Sequence, residues 1–111
     1  MNMSGRKSKS KGYRGEHNLV TRLNENQIKA KRVPLSGASY IKGDVVITKL
    51  GKAEVKWRKD GFKELYKWLG NNDFLFVKRD RDDYLVVLKI EKWMKLVKKK
   101  ELDSEIWMVI E

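Results

Sequence analysis

The sequence predicts an α/β chain with a small mixed β-sheet flanked by helices. Two patterns predict it. Apolar residues recur at helical spacing in three places, Leu19/Val20/Leu23, Phe62/Leu65/Tyr66/Leu69 and Trp93/Leu96/Val97, and short β-prone runs alternate with them. A length of 111 residues allows one hydrophobic core and is too short for two, so one folded domain is expected over 13–97.

The elements follow in order. Residues 1–12 form a Ser/Gly/Lys leader with no apolar residue between Met3 and Tyr13, which predicts a flexible basic arm carrying Arg6, Lys7, Lys9 and Lys11. A helix is expected from Gly15 to about Gln27. Glu16 precedes Leu19, Val20 and Leu23 by three, four and seven positions, so its carboxylate falls on or beside the buried stripe. The ordinary reading of that position is a first-turn acid favoured by the helix dipole. Ile28 to Val33 reads as an extended segment ended by Pro34, and residues 35–43 as a loop of small residues.

Val45–Thr48 and Ala53–Trp57 flank Leu50-Gly51-Lys52 and predict an antiparallel hairpin. Alternation sends Ala53, Val55 and Trp57 to one face and Glu54 with Lys56 to the other, with Asp44 near Glu54 across the pair. A second helix is expected from near Lys59 to Gly70. Phe74–Val77 and Tyr84–Ile90 predict a buried hairpin turning through Arg79–Asp83, and a short third helix should run into Lys98-Lys99-Lys100. Residues 98–111 read as an extension packing on the core or on a dimer, with Ile106–Ile110 either a strand or an oligomer contact.

Composition limits the chemistry. Lys and Arg number 26 against 15 Asp and Glu, a net charge of +11 that attracts a polyanion such as nucleic acid. The leader accounts for four of those charges, so the folded body is basic in its own right. With no cysteine and one histidine, disulfide frameworks and thiolate zinc sites are excluded, and a metal site within one subunit must use oxygen ligands. No apolar run approaches the roughly 20 residues that a membrane span needs, and no signal-peptide core follows the N-terminus. A soluble intracellular protein is expected.

The stretch from Asp44 to Lys56 carries the sharpest chemical signal. Two carboxylates facing phosphates require a cation, and hard oxygen donors suit Mg²⁺, for which Mn²⁺ can substitute. Such an ion polarises a scissile phosphate, activates water and stabilises a leaving oxygen. Lys56, on the same strand face as Glu54, can orient the water and offset the growing negative charge. Glu54 is the only acidic residue in the chain followed two positions later by lysine.

With these residues in view, the chain resembles the archaeal-type Holliday junction resolvases and their viral relatives, within the PD-(D/E)xK restriction-endonuclease-like superfamily. The resemblance spans about Gly12 to Ile90. It is carried by Gly12-x-x-x-Glu16, the Ser-Gly-Ala-Ser loop from Ser36 to Ser39, Gly43-Asp44-Val45, and Glu54-Val55-Lys56. It implies a restriction-endonuclease-like core, metal-binding catalytic acids at Glu16, Asp44 and Glu54, a catalytic lysine at Lys56 and an auxiliary loop residue at Ser36. It further implies a homodimer that cuts four-way DNA junctions by paired symmetric hydrolysis. Arg6, Lys7, Lys9, Lys11, Arg14, Lys42 and Arg58 are candidate phosphate contacts. His17 joins them, although the family often has arginine there.

Two other readings stay open. A phage-type nuclease with the same fold would act on other branched or duplex DNA. A non-catalytic nucleic-acid-binding protein would use Asp44, Glu54 and Lys56 as a structural ion-pair group. Asp80, Asp82 and Asp83 alternate with Arg79 and Arg81 and read as a solvated, locally paired loop, while Trp57 and Trp68 read as packing residues.

Overall fold

The computed structural model describes residues 3–33 and 44–110, with side chains over 12–33 and 44–100. Two compact units divide the chain, Met1–Arg58 and Lys59–Glu111. The coarse α/β class is met by three helices and five short strands among the described residues.

In the first unit, α1 (Met3–Glu25) leads into β1 (Ala30–Arg32), β2 (Val45–Ile47) and β3 (Gly51–Ala53), which form an antiparallel sheet in the order β1-β2-β3. The helix reaches back to Met3, earlier than its apolar periodicity predicts. Low hydrophobicity argues against a packed core, but it does not forbid helix in a run of Lys, Arg and Ser without proline.

A Schellman closure ends α1. Ile28 N–H donates to Leu23 O at 2.9 Å and Gln27 N–H to Asn24 O at 3.1 Å, with Gln27 at φ 63°. The closure brings together Leu23, 0% exposed, and Ile28, 5% exposed, which with Val45 are the buried apolar side chains of this unit among the described residues. Each such side chain contributes about 1.5–3 kcal/mol through its removal from water. Asn24 links the helix to β1 in both directions: its Nδ2 donates to Ala30 O and its Oδ1 accepts from Ala30 N–H, both at 3.0 Å.

The β2–β3 connection lies earlier than expected. Leu50 N–H donates to Ile47 O at 3.0 Å, and Lys49 at φ 69° supplies the positive φ that a type II turn needs at its third residue. Gly51, at φ 135°, is therefore the first residue of β3 rather than the centre of the turn. β3 ends at Ala53, and among the described residues 54–58 have no strand partner, where sequence alternation predicted strand to Trp57.

The second unit contains α2 (Lys63–Leu69), the antiparallel pair β4 (Leu75–Val77) and β5 (Leu85–Val87), and α3 (Ile90–Ile110). Gly70, at φ 47°, closes α2 through its N–H to Tyr66 O at 3.0 Å. Leu69 and Met94 are its buried apolar side chains among the described residues.

Two expectations are corrected here. The β4–β5 hairpin is not buried on both faces. Leu75, Val77 and Val87 are half-buried, but Leu85 on the same face is 67% exposed, and Phe74, Phe76, Tyr84 and Val86 stand exposed on the alternate face, Phe76 at 63%. An apolar run identifies a strand without guaranteeing cover for both faces. Residues 106–110 are not a strand but the last turns of α3. No glycine or proline follows Gly70 to interrupt that helix.

Charge divides with the units. Residues 1–58 hold fourteen Lys+Arg against four Asp+Glu, leaving +10, whereas 59–111 hold twelve against eleven, leaving +1. Nearly all of the net positive charge thus resides in the first unit.

Candidate nucleic-acid interface and carboxylate pair

Asp44 is held from both sides by backbone. Its N–H donates to Ala53 O at 3.0 Å and its carbonyl accepts from Val33 N–H at 3.1 Å, which fixes it at the mouth of β2 between β1 and β3. Its side chain turns toward the segment after β3, where Oδ2 accepts from Val55 N–H at 2.7 Å. The register Val45↔Ala53, continued by one residue, sets Asp44 opposite Glu54. Sequence spacing anticipated that opposition, although the hairpin reaches it with a different turn.

Glu54 Oε1 lies 3.0 Å from Lys56 Nζ, and the two side chains are 63% and 53% exposed respectively. An ion pair so open to water contributes about 0–1 kcal/mol, so either partner can be recruited by a phosphate or a cation at little cost. Arg58 is likewise exposed.

Glu16 occupies different surroundings. It is half-buried beside the core stripe, as the helical periodicity requires, but its Oε2 accepts from Arg32 Nε at 2.8 Å. The same guanidinium lies over the Tyr13 ring, 4.3 Å from its centroid. Tyr13 in turn stacks with His17, four residues along α1, at 6.0 Å and an interplanar angle of 5°. Arg14 lies 5.9 Å from the Trp57 ring centroid.

Trp57 is not a core residue. It is 43% exposed, and it rests where a Cβ at Gly15 would meet its ring at 3.3 Å, so the missing side chain at Gly15 is what lets it approach α1. Trp68 is also exposed, at 55%. Sequence reading missed Arg32, Tyr13 and Trp57 as site residues. The spacing of Tyr13 and His17 at i, i+4 was a signal for the first stack. Nothing local marked Arg32 as the partner of a carboxylate sixteen residues earlier.

Ser36 and Lys42 lie outside the described residues, as do the side chains of Arg6, Lys7, Lys9 and Lys11, whose backbone belongs to α1. The 79–83 loop behaves as a locally paired turn: Arg79 Nε donates to Asp82 Oδ2 at 2.6 Å and Tyr84 N–H donates to Asp83 Oδ1 at 2.8 Å.

Among the described residues, no three His, Cys, Asp or Glu side chains stand close enough together to hold a metal ion. Asp44 and Glu54 remain as an opposed pair. That suits a hard divalent ion such as Mg²⁺, which is commonly held by one or two carboxylates and completed by waters and substrate phosphates. No helix among the described residues is long and apolar enough to cross a membrane. Compared with protein-family models, characterised proteins and solved structures, the chain matches none.

Proposed function

We propose that the chain is an intracellular, metal-dependent endonuclease with a restriction-endonuclease-like core that resolves four-way DNA junctions as a homodimer. The observation that carries this reading is the opposition of Asp44 and Glu54 beside Lys56. Residues 1–58 have only four acidic side chains against fourteen basic ones, yet two of the four take opposed register positions at the ends of β2 and β3. Opposed carboxylates repel each other and the DNA that the rest of the unit attracts, an arrangement expected where a cation is used.

A bound Mg²⁺ would supply Lewis acidity toward a phosphate oxygen and an activated water. Asp44 would hold such an ion from a rigid position, since its backbone is tied to β1 and β3 and its second oxygen is free of the Val55 bond. Lys56 would leave Glu54 for the phosphate as negative charge grows there, a transfer favoured by the exposure of their pair. Glu16 would act through Arg32, holding a cation for a phosphate rather than a metal.

Cutting two strands at symmetric positions calls for two copies. The unit Lys59–Glu111, at +1, is where two copies of so basic a chain approach with least repulsion, and the outer β4–β5 face supplies apolar surface to cover.

A second reading, a nucleic-acid-binding protein without catalysis, draws on the same contacts. The Asp44 carboxylate already serves Val55 N–H and Glu54 already pairs with Lys56, as in a purely structural group. Cleavage of a labelled immobile four-way junction separates the readings, with linear duplex and flap as comparisons and Mg²⁺ or chelator present. Paired symmetric nicks confined to the junction and lost in Asp44→Asn would support resolution. Equal cutting of every substrate would make the chain a general nuclease, and tight metal-independent binding without cutting would favour the second reading.

A further inference from the structure

We propose that Tyr13, His17 and Trp57, with Arg14 and Arg32, form a stacking platform for the unpaired bases of a nucleic-acid strand, distinct from the Asp44–Glu54 pair. The inference takes from the preceding section only that the ligand is nucleic acid; it needs no cleavage.

Two short layered rows are already assembled on the first unit. One runs from His17 to Tyr13 to the Arg32 guanidinium, with separations of 6.0 and 4.3 Å. The other is the Arg14–Trp57 pair at 5.9 Å. Cation–π contacts at exposed sites are individually weak, and two aromatic rings left 54% and 43% exposed forgo much of the burial that would otherwise explain them. The rows therefore do little for the core. Their composition is what a flexible strand recognises: flat rings for the bases, and guanidinium groups that neutralise phosphate and also stack.

Arg32 is the better organised of the two cations. Glu16 accepts from its Nε at 2.8 Å, which holds the guanidinium plane against Tyr13. Glu16 is a positioning residue in this platform. Exposed His17 leaves an open end where a base can lengthen the row. Bases within a continuous duplex are stacked on one another and present no face to such rings, so the platform selects unpaired or splayed nucleotides.

The test is binding in chelator, so a failure of the nuclease reading leaves it untouched. A labelled short oligothymidylate is compared with an abasic strand of the same length and phosphate number. Wild type should bind the thymidylate about tenfold more tightly, as expected for stacking of a base on an aromatic ring. Trp57→Ala and Tyr13→Ala should each shrink that preference several-fold while the salt dependence of binding stays unchanged, and Trp57→Phe should retain most of it. Circular dichroism checks that each variant is folded; should Trp57→Ala unfold, Tyr13→Ala and the wild-type comparison decide. Equal affinity of wild type for the two strands, or a folded Tyr13→Ala with the full preference, would overturn the platform.

Discussion

Asp44 has two separable jobs, and a pair of substitutions can pull them apart. Its Oδ2 accepts the Val55 N–H at 2.7 Å, while its charge is what a cation would meet. Asp44→Ala removes the acceptor and leaves the Val55 N–H unpaired. A hydrogen bond to an ionised group contributes roughly 1.5–3 kcal/mol, and because Asp44 is only half-buried the lower end applies, about 1.5 kcal/mol. For a unit of this size that is a fall of roughly 6–12 °C in Tm. Asp44→Asn keeps a carbonyl oxygen for Val55 and loses only the charge, so its fall should be about 0.5 kcal/mol, or roughly 2–4 °C. Thermal melts of the three proteins, read beside junction cleavage in Mg²⁺ and junction binding in chelator, complete the assay. Both variants should lose cleavage, and Asn should bind DNA at least as tightly as wild type because one repelling carboxylate has gone. Equal destabilisation by Asn and Ala would refute the assigned role of the Val55 bond. Wild-type cleavage by Asp44→Asn would refute the carboxylate pair as a catalytic site.

Other substitutions probe the frame around that pair. Leu23→Ala, at a fully buried position, should cost about 2–5 kcal/mol in denaturant unfolding and leave Met1–Arg58 close to unfolded. Asn24→Ala breaks both bonds to Ala30 and should cost about 1–2 kcal/mol by the same measurement. Gly15→Ala adds a Cβ 3.3 Å from the Trp57 ring; helix propensity favours it by about 1 kcal/mol, so near-neutral stability with a shifted tryptophan emission is expected. Phe76→Lys, on the exposed β4–β5 face, should leave the melting curve within about 0.5 kcal/mol of wild type and shift sedimentation toward the monomer.

Much of the element order was legible because it depends on local pattern. Leu19, Val20 and Leu23 announce a helix, Gly70 announces the end of another, and the spacing from Asp44 to Glu54 survives in the sheet register. What escaped was set by conformation or by distant partners. A glycine in a turn-like tripeptide draws the eye to its own position, yet Lys49 takes the left-handed conformation and Gly51 begins the strand, which moves the turn to 48–50. Tryptophan is a large apolar residue and invites burial, but Trp57 follows the end of β3, leans on α1 beside Gly15 and stays 43% exposed. Glu16 was legible as a carboxylate at the margin of the core. Its union with Arg32 was not, because it depends on how α1 lies against β1. The division of charge between the two units was present in the composition and became visible only once the boundary near Arg58 was known.

The two-way bond between Asn24 and Ala30 has one more effect. Among the described residues β1 is an outer strand of its sheet, and Lys29 and Val33 spend their backbone groups inward on Thr48 and Asp44. Ala30 therefore points its N–H and C=O outward, where a strand from another molecule could add itself. The Asn24 amide occupies both groups, acting as a one-residue counterfeit of that strand. Wherever many copies of the same outer strand come close together, strand addition between them would end in aggregates. A single asparagine side chain, reaching back from the last turn of a helix, covers the Ala30 position of that border.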